Sequence, residues 1–139
     1  MSKLGDAAKA AVRENFPDIQ ARYDELPAPI VTIQPTHPDF GAIEILDADQ
    51  EITVTCGNFT HVHLDNYDEG ISTQERERRI VARLVSFLAD VFSDRMEFWG
   101  SHRGMGGCRA RGSQGAVSRA LVGTTAFVWS GPLHGGETG

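Results

Sequence analysis

The chain has 139 residues, of which 40% are hydrophobic and 23% charged, a composition typical of one globular domain rather than a disordered chain. It contains no apolar run of about 18 residues, so we expect neither a transmembrane helix nor a membrane partner. The formal net charge is −6: residues 1–70 carry −9 and residues 71–139 carry +3. This balance disfavours nucleic-acid binding, which depends on neutralising phosphates.

The compartment is predicted from the N-terminus and from the cysteines. The first residues lack the long apolar stretch of a secretory signal. Only two cysteines, Cys56 and Cys108, are present. We therefore expect a cytoplasmic protein whose thiols stay reduced. Residues 1–139 are expected to form a single domain, with a frayed tail at 133–139.

The first predicted elements are a short helix and a hairpin. Residues 5–16 are rich in alanine and include the N-cap candidate Asp6, which predicts a helix. An extended segment around residues 30–33 predicts a strand. Apolar and polar residues then alternate in two runs, 41–46 and 51–56, with a turn between them. This alternation predicts two antiparallel strands.

The strongest helical pattern lies in residues 71–95. Ser72 and Glu75 have the spacing of a capping box, which predicts the start of the helix. Apolar residues then recur at helical intervals: Ile80, Leu84, Phe87, Leu88 and Val91. This pattern predicts an amphipathic helix of about 20 residues that packs on a sheet.

Three segments follow the long helix. Residues 95–100 predict a strand, residues 104–115, with five glycines, predict a hairpin loop, and residues 120–132 predict a last strand. The order of elements predicts an α+β fold. We expect a curved, mostly antiparallel sheet with one long amphipathic helix packed on one face and a short N-terminal helix.

Two histidines stand out in the segment 55–65, TCGNFTHVHLD, where His61, His63 and Asp65 occupy alternating positions. If the preceding strand continues through Gly57 with a bend, both imidazoles lie on a polar face. We favour this arrangement because it separates the polar from the apolar side chains.

A hairpin with a two-residue turn at 57–58 is the alternative. That turn places Val54 opposite His61 and Ile52 opposite His63, so that both imidazoles point to the apolar face. A change of one residue in the register reverses the assignment.

The favoured strand leaves an aromatic side chain, Phe59, exposed beside the two histidines. A patch of this kind is more typical of a contact surface than of an ordinary solvent face. We therefore predict a binding surface for a protein partner or a second copy of the chain. Its predicted residues are Phe59, His61, His63, Asp65 and Trp99.

Paired histidines on one side of a strand are also found in metal sites. Zinc or another divalent transition metal accepts imidazole and carboxylate ligands. The alternative ligand set is His61, His63, Asp65 and Glu69. The spacing of these residues departs from the metallo-β-lactamase, amidohydrolase and cupin motifs, so we favour a chain without a cofactor and without enzymatic activity.

The glycine-rich segment suggests a further site. Arg103, Arg109 and Arg111 could hold a carboxylate or phosphate together with backbone amides. Arg109 and Arg111 would also favour the thiolate of Cys108, although the sequence identifies no base to activate it. We favour a plain hairpin loop over an anion-binding loop.

The segment EITVTCGNFTHVHLDNYDEG, followed by a capped helix and the strand RMEFWG, resembles small bacterial α+β proteins of the immunity type. The likeness covers residues 51–100. It implies an acidic binder that blocks another protein, in agreement with the charge of residues 1–70, since an acidic surface steers association with basic partners.

Overall fold

The computed structural model describes residues 3–24, 29–48, 50–57, 59–66, 68–100, 106–111 and 125–133. Within these residues the chain forms two helices and nine strands, which confirms the predicted α+β class. The elements are α1 (Lys3–Asn15), β1 (Ala21–Tyr23), β2 (Val31–Ile33), β3 (Ile43–Asp47), β4 (Ile52–Cys56), β5 (Thr60–Leu64), α2 (Thr73–Phe92), β6 (Met96–Gly100), β7 (Gly106–Ala110), β8 (Thr125–Val128) and β9 (Gly131–Leu133).

The strands form two antiparallel sheets instead of the one curved sheet expected. The first sheet contains β1 to β5 in chain order, so each strand pairs with its neighbour in sequence. The second sheet has the order β7-β6-β8-β9. The predicted hairpin of β3 and β4 is confirmed, with Ile45 opposite Val54.

The long helix begins where the sequence predicts. Ser72 is its N-cap, and the Ser72 hydroxyl accepts a hydrogen bond of 3.0 Å from the backbone amide of Glu75. One stripe of α2 is buried, formed by Ile80, Leu84, Leu88 and Val91. Neither described helix is both long and apolar enough to cross a bilayer.

The hydrophobic core lies between the two helices and the inner faces of the sheets. Helix α1 contributes Leu4, Ala8 and Val12, and it packs against α2. Strands β3 and β4 bury alternate residues: Ile43, Ile45, Ile52, Val54 and Cys56. This period of two leaves the intervening side chains on the opposite face of the first sheet.

Three sequence predictions need correction. The short strand β1 was not predicted, and residues 106–110 form β7 within the segment expected to be a hairpin loop. The final predicted strand was 120–132; its residues 120–124 lie outside the described part of the chain, and the rest belongs to two strands, β8 and β9, joined by a turn at residues 129–130. In the predicted tail, Leu133 is the last residue of β9, and residues 134–139 lie outside the described part of the chain.

Candidate functional site

The β4–β5 hairpin determines which way the two histidines point. Residues 57–59 connect the strands, and the register pairs Thr55 with His61 and Thr53 with His63. The expected single long strand is therefore wrong. The two-residue turn is also wrong, because the connection is one residue longer and every side chain consequently changes face. Both histidines thus lie on the polar side, as the alternation in the sequence indicated.

A row of residues crosses the first sheet and ends at the histidines. Each member lies directly opposite the next one on the neighbouring strand. The row consists of Arg22, Thr32, Glu44, Thr55 and His61. A shorter row beside it consists of Leu46, Thr53 and His63. We call these two rows the polar face. Directly opposed residues share one side of a sheet, so the first row crosses all five strands, and Thr32 is its buried member.

The two imidazoles are exposed and close together. The ring centroids of His61 and His63 are 5.0 Å apart, and the ring planes are nearly perpendicular. His63 Nδ1 lies 3.1 Å from Thr53 Oγ1 and 3.2 Å from Glu51 Oε1. A carboxylate can only accept hydrogen bonds, so contact with Glu51 favours the tautomer with the proton on Nδ1 and leaves Nε2 as an acceptor.

Glu51 was missed in the sequence, although it contacts His63 directly. It immediately precedes β4 and is twelve positions from His63. The register of the hairpin brings Glu51 and His63 together. The spacing of the histidines in the sequence does not predict this contact.

The predicted metal ligands are not assembled into one site. The Asp65 carbonyl accepts a hydrogen bond of 2.6 Å from Arg83, and Glu69 is exposed in the loop before α2. Among the described residues, no group of three or more His, Cys, Asp or Glu side chains is suited to holding a metal ion. A single chain therefore supplies the two imidazoles of His61 and His63, but not the predicted set of four ligands.

Phe59 does not lie on the exposed histidine face. It is half-buried in the β4–β5 connection and packs against the core. Its ring centroid is 5.2 Å from that of Phe40 and 5.1 Å from that of Phe127. The prediction that Phe59 is an exposed neighbour of the histidines is therefore wrong, because the turn directs the ring into an aromatic cluster that sequence spacing does not reveal.

Trp99 lies on β6, in the second sheet, while the histidines lie on the first. It is half-buried and pairs with Gly107 across the β6–β7 ladder. Its indole covers this glycine closely, since a Cβ atom at Gly107 would lie 2.6 Å from Trp99 Cζ2. No described contact joins Trp99 to the histidines.

The three predicted anion-binding arginines have different settings. Arg109 forms an ion pair with Glu97, the residue directly opposite it on β6, and both side chains are mostly buried. Arg111 is exposed, and its backbone amide donates to the carbonyl of Arg95. Arg103 lies outside the described residues. The charge of Arg109 is thus partly neutralised within the protein, which weakens the anion-binding interpretation.

Both cysteines are free thiols in protected positions. Burial raises the pKa of the Cys56 thiol above its ordinary value, and the neighbouring Cys108 raises it further. Burial also raises the pKa of the Cys108 thiol. Since the thiolate is the nucleophile, neither cysteine has the environment of a catalytic one.

A cleft of about 310 Å³ lies away from the polar face, between the two helices and the β3–β4 turn. Its lining residues are Lys3, Leu4, Gln50, Thr73, Arg76, Glu77 and Ile80. The lining includes basic side chains (Lys3 and Arg76), an acidic one (Glu77) and two apolar ones (Leu4 and Ile80). No pattern in the sequence predicts this cleft, because its residues come from three separate segments.

Comparison of the chain with protein-family models, with curated proteins and with solved structures finds no match. Function is therefore inferred from the geometry and chemistry of the residues.

Proposed function

We propose that this chain is a non-enzymatic protein-binding module and that the polar face is its contact surface. The observation that carries the proposal is the exposed, edge-to-face pair of His61 and His63, which lies at the end of a row of side chains on one side of the first sheet. Imidazoles combine hydrogen-bonding nitrogens with an aromatic body. They can therefore make polar and packing contacts with another protein.

The arrangement around His63 favours binding over catalysis. Thr53 Oγ1 and Glu51 Oε1 both approach the same ring nitrogen, Nδ1. A hydroxyl–imidazole–carboxylate relay needs the hydroxyl and the carboxylate on opposite nitrogens. His63 consequently cannot accept a proton from Thr53 through Nε2 while Glu51 holds Nδ1, and Thr53 is not an activated nucleophile.

The charge of the chain favours a basic partner. The net charge is −6, and residues 1–70, which include the whole first sheet, carry −9. Glu44 lies within the polar face and Glu51 beside it. An acidic surface of this kind accelerates encounter with a basic protein and disfavours acidic ones. We therefore propose an immunity-type role, in which the chain covers and blocks a basic protein.

We propose that the chain acts in the cytoplasm, on another cytoplasmic protein. Two free thiols are compatible with a reducing compartment.

The test compares three forms of the full chain as bait in an extract of the source cells. The forms are the unchanged protein, the His61→Ala/His63→Ala double variant, and an Arg78→Ala control. Arg78 is exposed on α2, away from the polar face. We expect a specific protein to be enriched by the unchanged bait and by the control but lost with the double variant.

The captured protein must then bind the purified chain directly, with an affinity that falls as salt increases. Equal capture by all three baits, or a partner whose binding is indifferent to both histidines, would contradict the proposal. Circular dichroism of each bait shows whether a loss of binding reflects a loss of folding.

A further inference from the structure

Strand β5 is an open edge of the first sheet. In the described part of the chain, β4 is its hydrogen-bonded neighbour on one side and no strand is hydrogen-bonded to it on the other. Strand β7 comes near β5, but no ladder joins them. The edge sequence, residues 60–64, contains no proline or lysine, the residues that commonly protect an edge from pairing with another chain.

Pairing of this edge with a second copy would place histidine against histidine. In a two-fold antiparallel pair centred on Val62, His61 lies opposite His63 of the second copy, and this happens twice. The side chains on each strand alternate, so all four imidazoles fall on the same polar face. Directly opposed Cβ atoms in such a pair are about 5 Å apart, which lets imidazoles from the two copies converge.

The arrangement of His61 and His63 in one chain is suited to half of a four-histidine metal site. The ring centroids of His61 and His63 are 5.0 Å apart. Glu51 faces Nδ1 of His63 at 3.2 Å, which leaves Nε2 free as a ligand. In zinc sites a carboxylate commonly accepts a hydrogen bond from the ring nitrogen of histidine that does not bind the metal, which fixes the tautomer and increases the basicity of the ligand.

We propose that His61 and His63 bind a divalent transition metal, with zinc as the best fit, between two copies of the chain joined edge to edge through β5. Four imidazoles satisfy the tetrahedral coordination that zinc prefers. The site is incomplete in one chain: Glu51 contacts the far nitrogen of His63, and among the described residues no group of three or more His, Cys, Asp or Glu side chains is suited to holding a metal ion. This inference rests on the proposed function, since the same two histidines act in both. The second copy is as acidic as the first, and the positive charge of the metal offsets the repulsion between the two copies.

The test is sedimentation of the full chain with EDTA and with one Zn²⁺ per two chains, combined with calorimetric titration of Zn²⁺. We expect a monomer in EDTA, a dimer with zinc, and binding that saturates at one zinc per two chains. His61→Ala and His63→Ala should each abolish the zinc-dependent dimer. Glu51→Gln should weaken zinc binding by about 10- to 100-fold while leaving the stoichiometry unchanged.

The control is His37→Asn, a histidine outside β5 whose Nδ1 accepts from the backbone amide of Asp39. The asparagine oxygen can replace that acceptor, and the zinc-dependent dimer should persist. Zinc bound at one ion per chain without dimerisation, a dimer that ignores EDTA, or no zinc binding would each overturn the inference. If any of these results is obtained while the His61→Ala/His63→Ala bait still loses its protein partner, the proposed function stands without the metal.

Discussion

Gly57 lies directly against the backbone of Phe40: a Cβ atom at position 57 would overlap the Phe40 carbonyl oxygen. The φ angle of Gly57 is +53°, in the left-handed region that side chains with a Cβ rarely adopt. Its amide also donates a 3.0 Å hydrogen bond to the carbonyl of Ala42. This position therefore holds the β4–β5 connection against the rest of the first sheet, and with it the register that directs the histidines outward.

We predict that Gly57→Ala lowers the free energy of unfolding by roughly 3 kcal/mol, since it adds left-handed strain to an overlap with backbone that no rotamer change can relieve. The measurement is chemical denaturation. The matched control is Gly70→Ala, because Gly70 also has a positive φ, +79°, but has no neighbouring atom within 4 Å of the added carbon. Gly70→Ala should cost only about 1 kcal/mol. Equal losses in the two variants would show that the close contact with Phe40 adds nothing to the cost of the substitution.

The sequence predicted the faces of the hairpin better than its connection. Alternation in residues 52–56 and 60–64 separated the buried side chains from the exposed ones, because burial on one face imposes a period of two. The three-residue connection depends on the fit of Gly57 against Phe40, which lies 17 positions earlier in the chain. Local spacing does not encode such a contact.

The same limit explains the other differences between expectation and structure. Glycine-rich residues 106–110 form a strand because β6 provides a partner along their whole length. Glu51 reaches His63 only through the hairpin register. Helix α2 was predicted closely, since its cap and its buried stripe are both set by residues within a few positions of one another.

Phe59 provides a test that separates packing from surface recognition. We predict that Phe59→Ala lowers the free energy of unfolding by about 3 kcal/mol, because it removes a ring that packs against Phe40, Phe98 and Phe127. Substitution of the exposed His61 by alanine should change it by less than about 1 kcal/mol. Thermal or chemical denaturation checks both. If Phe59→Ala leaves the free energy of unfolding unchanged, the ring is not needed for packing and again becomes a candidate for contact with a partner.

The two thiols are predicted to be slow to react in the folded protein. Burial raises the pKa values of both Cys56 and Cys108, so little thiolate exists at neutral pH. We expect a chromogenic disulfide reagent to modify Cys108 slowly and Cys56 more slowly still, because Cys56 is fully buried and Cys108 half-buried. Both should react at once in guanidinium chloride. Mass spectrometry identifies the modified residue, and rapid labelling of Cys108 in the native state would revive the thiol-nucleophile interpretation.

Glu75 is predicted to titrate far below an ordinary glutamate. Hydrogen bonds from Arg78 and then from Arg79 lower the pKa of its carboxyl from 4.5 to about 2. The folded form therefore binds this proton less readily than the unfolded form. The stabilisation from this pairing is fully present above about pH 4.5 and is lost as the pH falls through about 2.

The carboxyl carbon shift of Glu75 in an NMR titration gives the midpoint directly. We expect a value near pH 2 in the unchanged protein and a value closer to 4.5 in the Arg78→Gln/Arg79→Gln variant. Glu75→Gln should remove the contribution of this residue to the acid dependence of unfolding, while Ser72 still caps the helix through the backbone amide at position 75. A midpoint that stays near 2 without the two arginines would contradict this explanation. The carboxylate would then be kept charged by the unpaired backbone amides in the first turn of α2, which favour negative charge.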